Sequence, residues 1–263
     1  MIPVRAHRPE GQGGRLFHWL LAIPVGLVLG SMINVLADDL PHHRRPQWPH
    51  CVACQHAFGL MGWSGLGRNL TNAGRCPACA HVDGWRPVLV ELGMALTLVL
   101  LWTRPGVPPE VQAIQSIFFG IFLLVLVIDL EHRLILHVVT LPALAIALLT
   151  SRVTATPASA AIGAAIAFCT FLGIYLVGAM VYGSGAMGFG DVTLATFIGA
   201  ATGFPLVVVA LLAGMMTGGV VSFVLVVTRL RRLRSKVPYG PFLLVGAAVA
   251  LLWGQQIVNW YLN

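Results

Sequence analysis

Charge is what this sequence has least of. Only 10% of its 263 residues are Asp, Glu, Lys or Arg, 57% are hydrophobic, and the mean hydropathy is +0.85. An ordinary soluble domain carries roughly a quarter of its residues as charges, so a soluble globular class is excluded and the chain belongs in a membrane. The charges that exist lean positive, 16 Lys and Arg against nine Asp and Glu. They are not interleaved with exposed aromatics on a soluble face, which argues against nucleic acid as a partner. A signal-peptide cleavage site is lacking as well. The apolar stretch at 16–37 outruns a signal h-region, and "VLADDLP" offers no small-residue site, so the stretch reads as a retained span. Cysteine is sparse, five in all, and four of the five stand in one loop.

What the chain has in abundance is apolar runs. A bilayer crossing takes about 20 residues of helix. Candidate spans fall near 16–37, 87–103, 112–130, 134–150, 158–182, 191–203, 205–228 and 239–260. The run at 191–203 is short and "TGFP" (202–205) breaks it from the next. Residues 191–228 therefore read either as two spans or as one span with a re-entrant piece. Placing the loop 38–86, the turn near 133 and the segment 229–238 on one side gathers eleven Lys and Arg there, Arg44, Arg45 and Arg229 among them, against five on the other. Basic residues mark the cytoplasmic side, so the long loop faces the cytoplasm and the N-terminus lies outside.

That loop holds "CVAC" at 51–54 and "CPAC" at 76–79, with 21 residues between them. Two such knuckles can fold so that the thiolates of Cys51, Cys54, Cys76 and Cys79 meet at one tetrahedral zinc, each knuckle clamping the ion from one side. Disulfides or a redox motif are the competing reading. A cytoplasmic loop keeps its thiols reduced, and no thioredoxin-like βαβ pattern surrounds the motif, so structural zinc is favoured. His50, His56 and His81 flank the knuckles and could replace a Cys, but a histidine in a loop is more often solvated. With four thiolates the metal staples a subdomain too small to build its own core, and it is not the catalyst. Cys169, alone in an apolar span, reads as a small buried hydrophobe. The expected fold class is thus an all-α integral membrane protein, a polytopic bundle of about eight transmembrane helices with a small cytoplasmic zinc-binding loop. Residues 1–37 form the N-terminal segment and first transmembrane helix, 38–86 the zinc-binding loop and 87–263 the transmembrane catalytic core.

Most of the nine acids sit in loops or at segment ends, Asp38, Asp39 and Glu91 among them. Two stand apart. Asp129 ends an unbroken apolar run in "FLLVLVIDLEHRLIL" (122–136), and Asp191 opens another in "AMGFGDVTLATF" (186–197). On this topology both lie at the cytoplasmic membrane boundary, and they meet if the third and sixth spans pack side by side. An ionisable group at such depth is costly unless paired or hydrated, and marks a functional site. Helix capping would explain Asp191, but not Asp129 at a helix C-terminus, where the dipole disfavours an anion. Glu131, two residues on, faces elsewhere on the helix. Two carboxylates sharing a site cannot both ionise easily. That is the chemistry of aspartic proteolysis, in which one member activates water and the other polarises the scissile carbonyl. Gly188 and Gly190 leave room for another chain to approach Asp191.

Taken in order, these residues resemble the bacterial type IV prepilin peptidases, membrane aspartic proteases of the G-x-G-D class. The resemblance runs through "GLVLGSMINVLADDLP" (26–41), the two knuckles, "RPVLVELG" (86–93), "VIDLEHRLI" (127–135), "AMGFGDVTLATFIGA" (186–200) and "VPYGPFLLVGA" (237–247). It implies a protease of the bacterial cytoplasmic membrane that cuts the basic leader from type IV prepilin or pseudopilin precursors at the cytoplasmic face. The precursors build pili, a type II secretion pseudopilus or a DNA-uptake machine. It also implies that the catalytic aspartates are Asp129 and Asp191 and the zinc ligands Cys51, Cys54, Cys76 and Cys79. Many members then methylate the new N-terminal amine with S-adenosylmethionine, a step for which no residues of this chain are assigned. The chain departs from the family pattern at Leu136-His137, where Pro-Asp or Pro-Asn is expected, and at Thr193, where lysine is expected. It also has "LADDLP" where an arginine usually precedes Leu-Pro.

Two other functions fit parts of the pattern. Intramembrane carboxylates also relay ions in proton-coupled transporters, near the bilayer midplane. Here both acids stand at span ends on one side, and no inverted repeat or pair of broken helices is evident. A membrane anchor for a zinc-ribbon module would leave Asp129 and Asp191 without a role.

Overall fold

The computed structural model describes residues 12–42, 47–59, 62–82, 84–183, 188–228 and 239–262. Most of the basic residues that set the expected orientation, in the first eleven residues, at 44–45 and at 229–236, lie outside that set, as do Asp83 and the start of the 186–197 motif. The described residues form helices and no strand: α1 (Gln12–Asp39) with a short 3-10 turn at Leu40–His42, α2 (Gly65–Asn72), α3 (Arg86–Trp102), α4 (Pro109–His132), α5 (His137–Thr154), α6 (Pro157–Tyr182), α7 (Phe189–Thr202), α8 (Leu206–Val227) and α9 (Gly240–Leu262). All eight anticipated apolar runs fall on helices, with α2 added in the loop. Six of these helices have the length and apolarity to cross a membrane. The other two, α3 at 17 residues and α7 at 14, are shorter; at 1.5 Å per residue, 14 residues reach only about 21 Å. Gly203, at φ +68, ends α7 and separates it from α8, so "TGFP" is a true break. The large exposed side chains are those of a protein solvated by lipid: Leu149 is 80% and Met180 82% exposed in mid-chain helices.

The chain divides into two compact units at Leu124–Val125, with α4 contributing to both. In the first, α1 lies along α3. Small residues at the crossing let the backbones approach. A side chain at Gly26 would run into the Ala95 Cα, and one at Gly30 would place its Cβ 2.5 Å from the Glu91 Cα. In the second, α6 and α7 meet at Gly163 and Gly199, each facing the other's carbonyl, and α8 meets α9 at Gly214 and Gly246. α7 is the buried helix of this unit: Leu194, Ala195, Phe197 and Ile198 are fully enclosed. It lies along α5 and α6.

Candidate active site and metal centre

The two Cys-x-x-Cys segments fold as the same hairpin twice. In the first, the Cys51 N–H donates to the His56 carbonyl and the Gln55 N–H to the Cys51 carbonyl, both at 2.9 Å; in the second, Cys76 to His81 at 2.8 Å and Ala80 to Cys76 at 2.9 Å. Gln55 and Ala80, the equivalent residues, both take positive φ (60° and 56°). Antiparallel bridges His50–Ala57 and Arg75–Val82 close each turn. The hairpins face each other so that Cys51 and Cys79 Sγ are 3.7 Å apart, Cys54 and Cys76 Sγ likewise, and all four lie within 4.8 Å of one another. A tetrahedral zinc with Zn–S bonds of about 2.3 Å sets its sulfurs about 3.8 Å apart, so the four thiols fit such an ion. The cluster is made of cysteines alone among the described residues; His50 instead turns its Nε2 toward Asp39, at 3.6 Å. Crowding divides the thiols. Against its burial, the Ala78 and Cys79 backbone amides draw Cys76 down to about 7. Although the backbone at His81 favours its thiolate, the neighbouring sulfurs push Cys79 up to about 12.

Three acids set aside in the sequence as loop or end residues tie this loop to its membrane helices. Glu91 is fully buried, inside α3. Its Oε1 accepts from Ser31 Oγ (2.8 Å) and the Gly65 N–H (2.6 Å), and its Oε2 from the Leu66 N–H (2.9 Å). It thereby caps the N-terminus of α2, whose first amides have no partner within the helix. Asp38 takes Arg86 through both oxygens, at 2.7 and 2.9 Å, and Asp39 accepts from the Gln47 N–H at 2.9 Å.

The aspartates anticipated as catalytic meet in the second unit. Asp129 lies in the last turn of α4, buried at 4% exposure, with Glu131 exposed on another face. Asp191 lies in the first turn of α7 behind the N-cap Gly188, whose carbonyl accepts its N–H at 3.1 Å. The two carboxylates are near enough for the charge on Asp129 to act on Asp191. The expected side-by-side packing of the third and sixth spans is not what achieves this, because α7 lies along α5 and α6 and not along α4. The helix ends meet instead, through the link 133–136. Arg133, at φ +56, turns the chain off α4 and brings Ile135 against Gly190. A Cβ at 190 would stand 2.7 Å from the Ile135 Cβ and 3.0 Å from its carbonyl oxygen. The space expected at Gly190 for an approaching chain is therefore filled by this chain's own Ile135.

Further residues, none of them assigned a role from the sequence, complete the surroundings. Phe189, between the two glycines, stacks on His137 (6.0 Å, 12°) and meets Tyr175 edge-on (5.8 Å). Thr193 reaches the buried Thr140, Oγ1 to Oγ1 at 3.3 Å. Two of the three departures from the family pattern, His137 and Thr193, thus make contacts close to Asp191 in the chain. From α9, Gly240 faces Asp129, and Tyr239 feels the charge of Asp191. Their partners are far away in sequence, and no local spacing marks them.

Fold and site together define a multi-pass membrane protein with a four-thiol cluster able to hold a metal ion and a pair of aspartates at helix ends. The profile of the type IV leader peptidase family matches residues 116–223, and that of the bacterial peptidase A24 N-terminal domain matches residues 25–104. A prepilin leader peptidase/N-methyltransferase of Pseudomonas aeruginosa is 26% identical over 271 residues, covering 93% of each chain. Proteins of the same name from Stutzerimonas stutzeri and Legionella pneumophila are 28% and 27% identical, covering 100% and 94% of this chain and 86% and 96% of their own. No solved structure matches. The chain belongs to the type IV leader peptidase family and is a membrane protease.

Proposed function

We propose that this peptidase removes the basic leader of type IV prepilin or pseudopilin precursors at the cytoplasmic face of the bacterial inner membrane, with Asp129 and Asp191 as an aspartic pair. The observation that carries the reading is the placement of these two carboxylates at the ends of α4 and α7, where Ile135 in the link after α4 packs against Gly190. Such a pair shares a proton. The ionised member takes a proton from water as the water oxygen attacks the scissile carbonyl, and the protonated member donates to the carbonyl oxygen. The tetrahedral intermediate collapses when the leaving amine is protonated and the C–N bond breaks. Placement at the membrane edge suits a precursor whose apolar helix lies in lipid and whose basic leader lies in water.

Zinc held by Cys51, Cys54, Cys76 and Cys79 would supply a structural clamp on the loop. The relatives are named N-methyltransferases as well; methylation of the new N-terminal amine by this chain would draw on S-adenosylmethionine. Co-expression with a pilin precursor from the same source, scored by leader loss and N-terminal mass, tests the function. Loss of the leader with wild-type enzyme and its retention with Asp129→Asn or Asp191→Asn supports the reading. Ion flux in proteoliposomes without peptide cleavage would support a transporter instead.

A further inference from the structure

We propose that the N-terminus of α9, acting through Gly240, is a positioning element of the peptidase site: it holds the Asp129 carboxylate in its working place, and any side chain at 240 displaces the carboxylate because the two claim the same space. The inference rests on the aspartic reading above. A Cβ at 240 would lie 2.5 Å from Asp129 Oδ2 and 3.2 Å from its Cγ, with the Ile135 Cδ1 at 3.4 Å closing the other side. The glycines that serve α8–α9 packing are others, Gly214, Gly218 and Gly246. Gly240 faces the acid, not α8.

The backbone around it is arranged for an anion. The first amides of a helix have no partner within it and carry the positive end of its dipole. In α9 Pro241 has no N–H, and the Phe242 and Leu243 amides donate to the Tyr239 carbonyl at 3.1 and 3.3 Å. That leaves the Gly240 amide, on the residue that borders the Asp129 carboxylate. Oδ2 itself is buried and closes no hydrogen bond among the described residues, so one oxygen is steered by α9 without being tied up. Asp129 gains what its own helix denies it, since the C-terminal end of α4 disfavours an anion. The segment that aims the amide is anchored, with the Tyr239 ring lying 6.0 Å from that of Phe171 and 6.3 Å from that of Phe242.

The test is Gly240→Ala in the purified full chain, assayed on a synthetic precursor peptide with basic leader and apolar helix. The nearest clashing atom is the end of a flexible side chain, so the helix stays and the carboxylate moves. We expect kcat to fall about 100-fold, the loss that a misplacement near 1 Å brings, with KM within about twofold. Gly173→Ala, where a Cβ meets nothing within 4 Å, should be near normal. Any fall in thermal stability caused by Gly240→Ala should largely vanish in an Asp129→Ala background, where the clashing group is gone. Near-normal kcat in Gly240→Ala beside an inactive Asp129→Asn would overturn the proposal and leave the aspartic pair standing. So would a rise in KM alone, or a stability loss undiminished by Asp129→Ala. Near-normal cleavage by Asp129→Asn would instead overturn the aspartic reading.

Discussion

Ile135 occupies the place of a side chain at Gly190: its Cβ is 2.7 Å, and its carbonyl oxygen 3.0 Å, from where a Cβ there would stand. The second glycine of "GFGD" is what lets the link after α4 lie against the first turn of α7, and so brings the two aspartates together. Backbone, unlike a side-chain tip, cannot yield without moving a helix end.

Gly190→Ala should therefore separate the aspartates and lower kcat by about 100-fold or more while the chain still inserts. Steady-state cleavage of a precursor peptide, with circular dichroism to follow the helices, checks it. Wild-type kcat in a helical Gly190→Ala protein would show that the close approach is dispensable.

Glu91→Ala removes a fully buried carboxylate that takes two backbone amides and a hydroxyl. Each orphaned donor costs about 1–3 kcal/mol, so the Gly65 and Leu66 amides together put the loss at about 2–6 kcal/mol. The loop should become sensitive to limited proteolysis near α2, with Glu91→Gln, which keeps one acceptor oxygen, intermediate.

The cysteine cluster should bind one zinc per chain, measurable by elemental analysis of reduced, folded protein. Cys51→Ser or Cys76→Ser should abolish stoichiometric zinc and open the loop to protease, and a strong chelator should do the same to the wild type. A folded, fully reduced protein without stoichiometric metal would contradict the zinc assignment.

What could be read from the sequence was what is local. Apolar runs marked every helix among the described residues except α2, because a bilayer demands length and apolarity within one segment. The knuckle spacing marked the cysteines, because each hairpin supplies two ligands from four adjacent residues. Asp129 and Asp191 stood out as acids at the edges of apolar runs. The rest depends on partners distant in the chain. Glu91 passed for a segment-end acid, yet its partners are Ser31, Gly65 and Leu66. Gly240 stood in the family-like segment "VPYGPFLLVGA", but nothing local to it gave it a role until α9 set it against Asp129. The pairing of spans was misread for a related reason, since two carboxylates need only share helix ends, and lengthwise packing follows the small residues of α6 and α7.

The most direct measurement is cleavage by purified Asp129→Asn and Asp191→Asn. Each substitution keeps side-chain shape and removes ionisation. Turnover of a precursor peptide should fall by orders of magnitude in both, with insertion and zinc content unchanged and Glu131→Gln, exposed on another face, close to wild type. Near-normal turnover by either Asn variant would contradict the aspartic account and leave the paired carboxylates needing another role.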